Sequence, residues 1–193
     1  MTPLSSLQAF VHALFPLPDT EWEAFADLWQ PFACKRKMLL TAPGETERYL
    51  YFVLEGVQRS YYLSPAGKEA TIVFTYPHSF SGVADSFLTQ MPSRFHFETL
   101  TASHFLRAPY SGLSALMHQY PAVQSLVLRT TSFVLRGVLE RMAEQQTAGA
   151  EEKFRSLLTR SPHLLQLIPH KYLASYLGLD AATFSKLLGT VRL

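Results

Sequence analysis

The sequence predicts an α+β chain: a β-sandwich or roll preceded by helices, then a long helix, then a small helical domain. Three observations predict it. Residues 37–108 hold short segments rich in aromatic and β-branched residues, evenly punctuated by turn signals. Residues 121–147 hold no Gly or Pro after Pro121 except Gly137. Residues 168–187 place a small residue and a glycine where two short helices would meet and turn.

The N-terminal thirty residues read as helix. Pro18-Asp19-Thr20-Glu21 is a helix start, and Trp22, Phe25, Ala26 and Trp29 follow at spacings of three and four. Pro31 ends it. Strands are predicted over Lys37–Thr41, Tyr49–Leu54, Val57–Leu63, Glu69–Thr75, Arg94–Thr101 and His104–Ala108. Pro43-Gly44, Glu55-Gly56, Ser64-Pro65-Ala66-Gly67 and Tyr76-Pro77 separate them. Between Ser81 and Met91 the alternation lapses. Val83, Ala84, Phe87 and Leu88 sit one helical turn apart there and predict a short interrupting helix.

From Tyr110 the chain is helical again. Ser111–Tyr120 is one helix, and Pro121 at a first helical position opens the long one. Its apolar residues at 123, 126, 127, 134, 138 and 142 approach heptad spacing. A helix of that length spans ~40 Å at 1.5 Å per residue, more than a small roll covers. Two readings follow: a helix packed on its own domain, or one that pairs with a copy of itself in a homodimer. Ala148-Gly149-Ala150 reads as a hinge, and short helices follow at 151–159, 163–167, 169–177 and 181–188. The expected division is a helix-led sandwich or roll over 1–120, a long helix over 121–147 and a small helical domain over 148–193.

Composition bounds the function. The 193 residues are 48% hydrophobic and 17% charged, enough apolar content for a packed core. Net charge is only +2, but residues 151–193 carry six Lys+Arg against three Asp+Glu, while residues 1–150 carry eleven against twelve. A basic end on a neutral body points mildly to nucleic acid. The single cysteine, Cys34, excludes an internal disulfide, a Cys-rich zinc site and a four-Cys iron–sulfur cluster. Beside Lys35-Arg36-Lys37 it is read as structural and not redox-active. The strongly apolar run Tyr49–Leu54 is far short of the ~20 residues that span a bilayer. No secretory signal is read at the N-terminus, so a cytoplasmic protein without a membrane partner is expected. The seven histidines show no close pair with a third ligand, so no metal is expected. With no Gly-x-Ser-x-Gly elbow and no phosphate-binding loop, neither is an enzyme.

The segment Ile168-Pro169-His170-Lys171-Tyr172-Leu173-Ala174-Ser175-Tyr176-Leu177-Gly178-Leu179-Asp180-Ala181-Ala182-Thr183-Phe184-Ser185-Lys186-Leu187 fits helix-turn-helix physics. Ala174 allows close helix approach, and Gly178 allows positive φ at the turn. Asp180 is a candidate N-cap, and Leu173, Leu177, Phe184 and Leu187 form an apolar seam. Any tight helical hairpin could use the same devices.

On these residues, with Phe80-Ser81-Gly82, Ser86-Phe87-Leu88-Thr89 and Pro92-Ser93, the chain resembles the cyclic-AMP receptor protein and fumarate–nitrate regulator (Crp/Fnr) family over nearly its whole length. The resemblance implies a cyclic-nucleotide-binding-like β-roll (a double-stranded β-helix or jelly roll), and a DNA-binding homodimer in which a small-molecule effector moves the C-terminal domains relative to DNA. It places any ligand beside Ser81, Gly82, Val83, Arg94 and Phe95. DNA contacts are expected from His170, Lys171, Thr183, Ser185 and Lys186, with Arg192 as a further cation. Two departures stand out. Where family members carry a ribose-binding Glu, this chain has Val83, and Arg94 lies one residue past the usual phosphate-binding Arg. A one-residue slip in a strand reverses a side chain's facing. The expectation is therefore that no cofactor is held and that cyclic AMP is not the effector; an apolar or mixed ligand would suit Val83 and Phe95 better. On the recognition helix, Ala181 and Ala182 stand where an Arg and a Glu are usual, leaving Lys186, and Gly189 weakens its C-terminal end. The alternative reading is an effector-binding or protein-interaction dimer whose DNA binding has decayed.

Overall fold

The computed structural model describes residues 2–191. Two helices lead, α1 (Pro3–Leu14) and α2 (Asp19–Ala26). The Thr2 hydroxyl caps α1 by accepting from the Ser5 N–H at 3.1 Å, which satisfies one of the helix's free donors. Eight strands follow: β1 (Gln30–Cys34), β2 (Leu39–Thr41), β3 (Tyr49–Glu55), β4 (Gln58–Leu63), β5 (Glu69–Thr75), β6 (Phe80–Ser81), β7 (His96–Thr99) and β8 (Ser103–Pro109). Helix α3 (Ala84–Thr89) interrupts them between β6 and β7. The strands form two antiparallel four-stranded sheets, ordered β1-β8-β3-β6 and β2-β7-β4-β5.

Two of these strands differ from expectation. Pro31 lies inside β1 instead of merely ending a helix. This costs no ladder bond that an interior strand would need, because β1 is an edge strand, where proline is tolerated. Strand β6 has two residues, too short for any periodicity to reveal.

Alternation along the first sheet separates two cores. Phe52, Leu106 and Ala108 face the helices and pack with Leu7, Val11, Phe25 and Trp29. Tyr51, Val53 and Phe105 face the second sheet and meet Cys34, Val83 and Phe97. Burial raises the Cys34 thiol pKa, opposed by the charge of Arg107, in keeping with a structural thiol.

Helix α4 (Tyr110–Gln119) leads into α5 (Pro121–Thr147). Val123 and Leu126 are buried against the roll's helices, but residues 131–140 are exposed without interruption. Helices α6 (Ala150–Arg160), α7 (Leu164–Leu167), α8 (His170–Leu177) and α9 (Ala181–Thr190) close the chain around Phe154, Leu157, Leu173, Leu177 and Phe184. Val57, Phe74 and Leu100 of the roll join that cluster. Helix α9 continues through Gly189 to Thr190, so the glycine does not end it. Among the described residues no helix is long and apolar enough to cross a membrane, and no group of three metal-ligating side chains gathers.

Candidate functional site

At the β6–α3 corner Ser81, Gly82 and Val83 come together. Gly82 has φ +123°, and a Cβ there would stand 3.3 Å from the Tyr49 carbonyl oxygen. Only glycine meets both demands without strain. Ser81 is buried, its hydroxyl 2.7 Å from that of Thr75. Val83 is buried in the inter-sheet core, and Phe95 packs partly buried against the same cluster. Arg94 does not join them. It is exposed, its guanidinium 5.9 Å from the Tyr62 ring. Its neighbour Ser93 turns inward, donating to the Phe95 carbonyl at 2.8 Å and accepting the Phe95 N–H at 2.9 Å.

Two charged residues here escape sequence reasoning. Glu47 is buried beside the corner. One carboxylate oxygen accepts from the Thr41 hydroxyl at 2.7 Å and the Val83 N–H at 3.3 Å; the other accepts the Tyr49 N–H at 3.3 Å. Burial pushes its pKa up, and those hydrogen bonds only partly offset the rise. Burial likewise raises the Tyr51 phenol, with the Glu47 charge adding to it. Arg107 faces the inter-sheet space from β8, its guanidinium 4.0 Å from the Phe32 ring and 4.5 Å from that of Tyr49. In the sequence, Gly44-Glu45-Thr46-Glu47-Arg48 looks like a solvated turn, and Arg107 is one more strand charge. Only the alternation of β8, once its facing is known, could have marked Arg107 as inward.

An open groove of about 570 Å³ lies elsewhere, against Pro3, Pro31, Leu54, His78 and His104. None of the expected ligand residues lines it. His104 pairs with Glu55 at 3.0 Å, and His96 stacks on Tyr61 at 4.5 Å, so the two histidines serve separate local contacts.

The helix-turn-helix is built from α8 and α9. Gly178 turns the chain at φ +69°, and Ala174 is buried in the seam. Asp180 caps α9, accepting from the Thr183 N–H at 2.8 Å and the Thr183 hydroxyl at 2.7 Å. These bonds hold the Asp180 carboxyl below the usual range. Thr183 is thus engaged in the cap. Ser185 and Lys186 are exposed on α9, beside exposed Ala181 and Ala182. His170 and Lys171 are exposed at the start of α8; the His170 ring lies 5.6 Å from that of Phe184, and the Lys171 ammonium 4.7 Å from that of Tyr172. Arg192 lies outside the described residues.

Helix α8 is docked on β5. The Ser175 hydroxyl accepts the Thr71 N–H at 3.0 Å and donates to the Glu69 carbonyl at 3.2 Å. Arg59, 3% exposed, bonds Glu98 at 2.6 Å and Glu69 at 2.6 and 3.1 Å, and its guanidinium lies 3.8 Å from the Tyr172 ring. Burial alone would lower its pKa, but the two carboxylates outweigh that and raise it. Arg141 of α5 donates to the carbonyls of Ile72, Thr71 and Tyr176, joining α5, β5 and α8.

Residues 33–120 match the family model of the cyclic nucleotide-binding domain. The chain is similar to a global nitrogen regulator of Synechocystis sp. PCC 6803, 24% identical over 81% of this chain and 75% of that protein. It superposes on FixK2 from Bradyrhizobium japonicum with a TM-score of 0.75 at 19% identity, covering 83% of each chain. It also superposes on a cyclic nucleotide-binding domain from Methylobacillus flagellatus, with a TM-score of 0.64 at 18% identity over 76% of this chain and 85% of that one. The family match overturns the expectation that cyclic AMP is excluded. That expectation weighed two positions, Val83 and Arg94, whereas the match spans the roll from β1 to α4. The roll also holds two charged residues that the expectation did not weigh, Glu47 and Arg107.

Proposed function

We propose that this chain, with the architecture of the Crp/Fnr regulators and a cyclic nucleotide-binding domain, is a transcriptional regulator that binds DNA as a homodimer. It acts as a regulator and not as an enzyme. The observation that carries the reading is the joining of three parts in one chain. These are a roll with the Ser81-Gly82-Val83 corner, a long helix exposed over residues 131–140, and a capped helix-turn-helix whose α9 presents Ser185 and Lys186 outward. Residues 1–120 serve as sensor, 121–147 as dimerisation helix and 148–193 as DNA-binding domain.

Within this reading a cyclic nucleotide is the first effector to test. Gly82, at positive φ against Tyr49 and Glu47, shapes the corner, and Ser81, Val83 and Phe95 lie at the same end of the roll. His170 and Lys171 contact phosphate from the start of α8, and Lys186 and Ser185 face the groove from α9. Genome-wide mapping of bound DNA in the native host tests the function. Discrete peaks upstream of genes support it; a profile indistinguishable from a Lys186→Ala, Lys171→Ala double variant sinks it.

Ala181 and Ala182 favour a second reading. Both are exposed at the start of α9, and neither can bond a base edge, although Ala can meet a thymine methyl. Decayed DNA binding, with the effector or protein-interaction role kept, predicts no peaks in the mapping but an intact dimer.

A further inference from the structure

The three inward arginines of the fold are satisfied in different ways. Arg59 bonds two carboxylates, and Arg141 bonds three carbonyl oxygens. Arg107 bonds neither kind. Its Nε is buried with no hydrogen-bond partner, while the residue as a whole is half-buried. Only two aromatic rings, Phe32 and Tyr49, hold it. Buried polar groups left unmatched are few in folded proteins, and each calls for a reason.

The placement supplies one. On β8, Phe105 and Arg107 point between the sheets while Leu106 and Ala108 face the helices. Arg107 is in register with Tyr51 on β3, and Tyr51 with Ser81 on β6. At ~4.8 Å per strand, the Arg107 and Ser81 backbones lie about 10 Å apart. The guanidinium therefore shares the inner face of the sheet with the Ser81-Gly82 corner. Arg94 sits on the exposed surface. A guanidinium presents N–H groups that match the paired oxygens of a phosphate or carboxylate, and aromatic faces hold its plane without consuming those donors.

We infer that Arg107, and not Arg94, is the residue of the roll that takes the anionic group of the effector, a phosphodiester or carboxylate. This rests on the reading of the roll as an effector domain. The alternative is a purely structural cation clamped between two rings.

The test uses the full-length dimer labelled with ¹⁵N-arginine. The Arg107 Nε–H resonance is assigned by its absence from Arg107→Lys, which keeps the charge but not the paired guanidinium donors. Cyclic AMP, cyclic GMP, inorganic phosphate and succinate are the probes, with affinities from calorimetry. At least one probe should shift that resonance, bind Arg107→Lys at least about tenfold more weakly, and bind Arg94→Gln within twofold of wild type. A shift by cyclic nucleotides alone identifies a phosphodiester; a shift by succinate or phosphate alone identifies a free anion. Silence of the resonance with all four probes overturns the assignment, as does undiminished binding to Arg107→Lys or loss of binding in Arg94→Gln. Promoter binding by the unliganded wild type is measured alongside. Its absence would count against the regulator reading without touching the anion result.

Discussion

At the scale of the residue, the buried charges set the testable energetics. Arg59 is almost fully buried between Glu69 and Glu98 and packs on Tyr172. Removing one partner of a buried ion pair leaves the others uncompensated, a loss of about 3–5 kcal/mol. Arg59→Ala should lower unfolding stability in urea by that amount; a loss below about 1 kcal/mol would mean that water already reaches the cluster. Glu47 gives a pH signature. Its pKa is raised by burial, so the folded chain binds that proton more tightly than the unfolded one. Its ionisation then costs stability as pH rises from the unfolded value of about 4.3 through the raised folded value. Wild type should therefore gain stability relative to Glu47→Gln as pH falls across that window. A pH-independent difference between the two would contradict the burial argument. Neither residue was legible in the sequence, because burial and facing, not residue type, give these charges their meaning.

At the scale of the element, α5 is the most exposed apolar surface. Leu128, Leu135, Val138, Leu139 and Met142 recur at spacings of three, four and seven, all between 50% and 67% exposed. That is the spacing of a helix-pairing seam. Val127, one of the heptad positions read from the sequence, instead packs partly buried against the roll's helices. Light scattering should report about twice 21.8 kDa. Leu135→Glu with Val138→Glu should give monomers that stay folded, whereas Val127→Glu should cost folding stability first. A wild-type chain that stays monomeric at high micromolar concentration would refute the seam. The bounds of α5 and the Gly178 turn were legible in the sequence because proline, glycine and a clean apolar period mark them. The β1 strand was not, because Pro31 is a helix stop by local rules and an edge-strand residue by tertiary placement.

At the scale of the molecule, one chain couples a roll, a long helix exposed along its middle and a helix-turn-helix docked on the roll through Arg59, Arg141 and Ser175. The charge that DNA would meet is modest. With about 2–4 phosphate contacts per subunit, a dimer would neutralise about 4–8 phosphates, a slope of log affinity against log salt of about −4 to −7. If α9 reads DNA as proposed, Lys186 is its one exposed cation, so Lys186→Ala should cost about 1–3 kcal/mol on a specific site and relax its selectivity. Fluorescence anisotropy on promoter and random duplexes across a salt series decides whether the proposed dimer binds DNA through α9. Binding with that slope is expected, with a measurable preference for promoter DNA that Lys186→Ala loses. Tight selective binding indifferent to Lys186→Ala, or no binding at any salt with and without cyclic AMP, would contradict it.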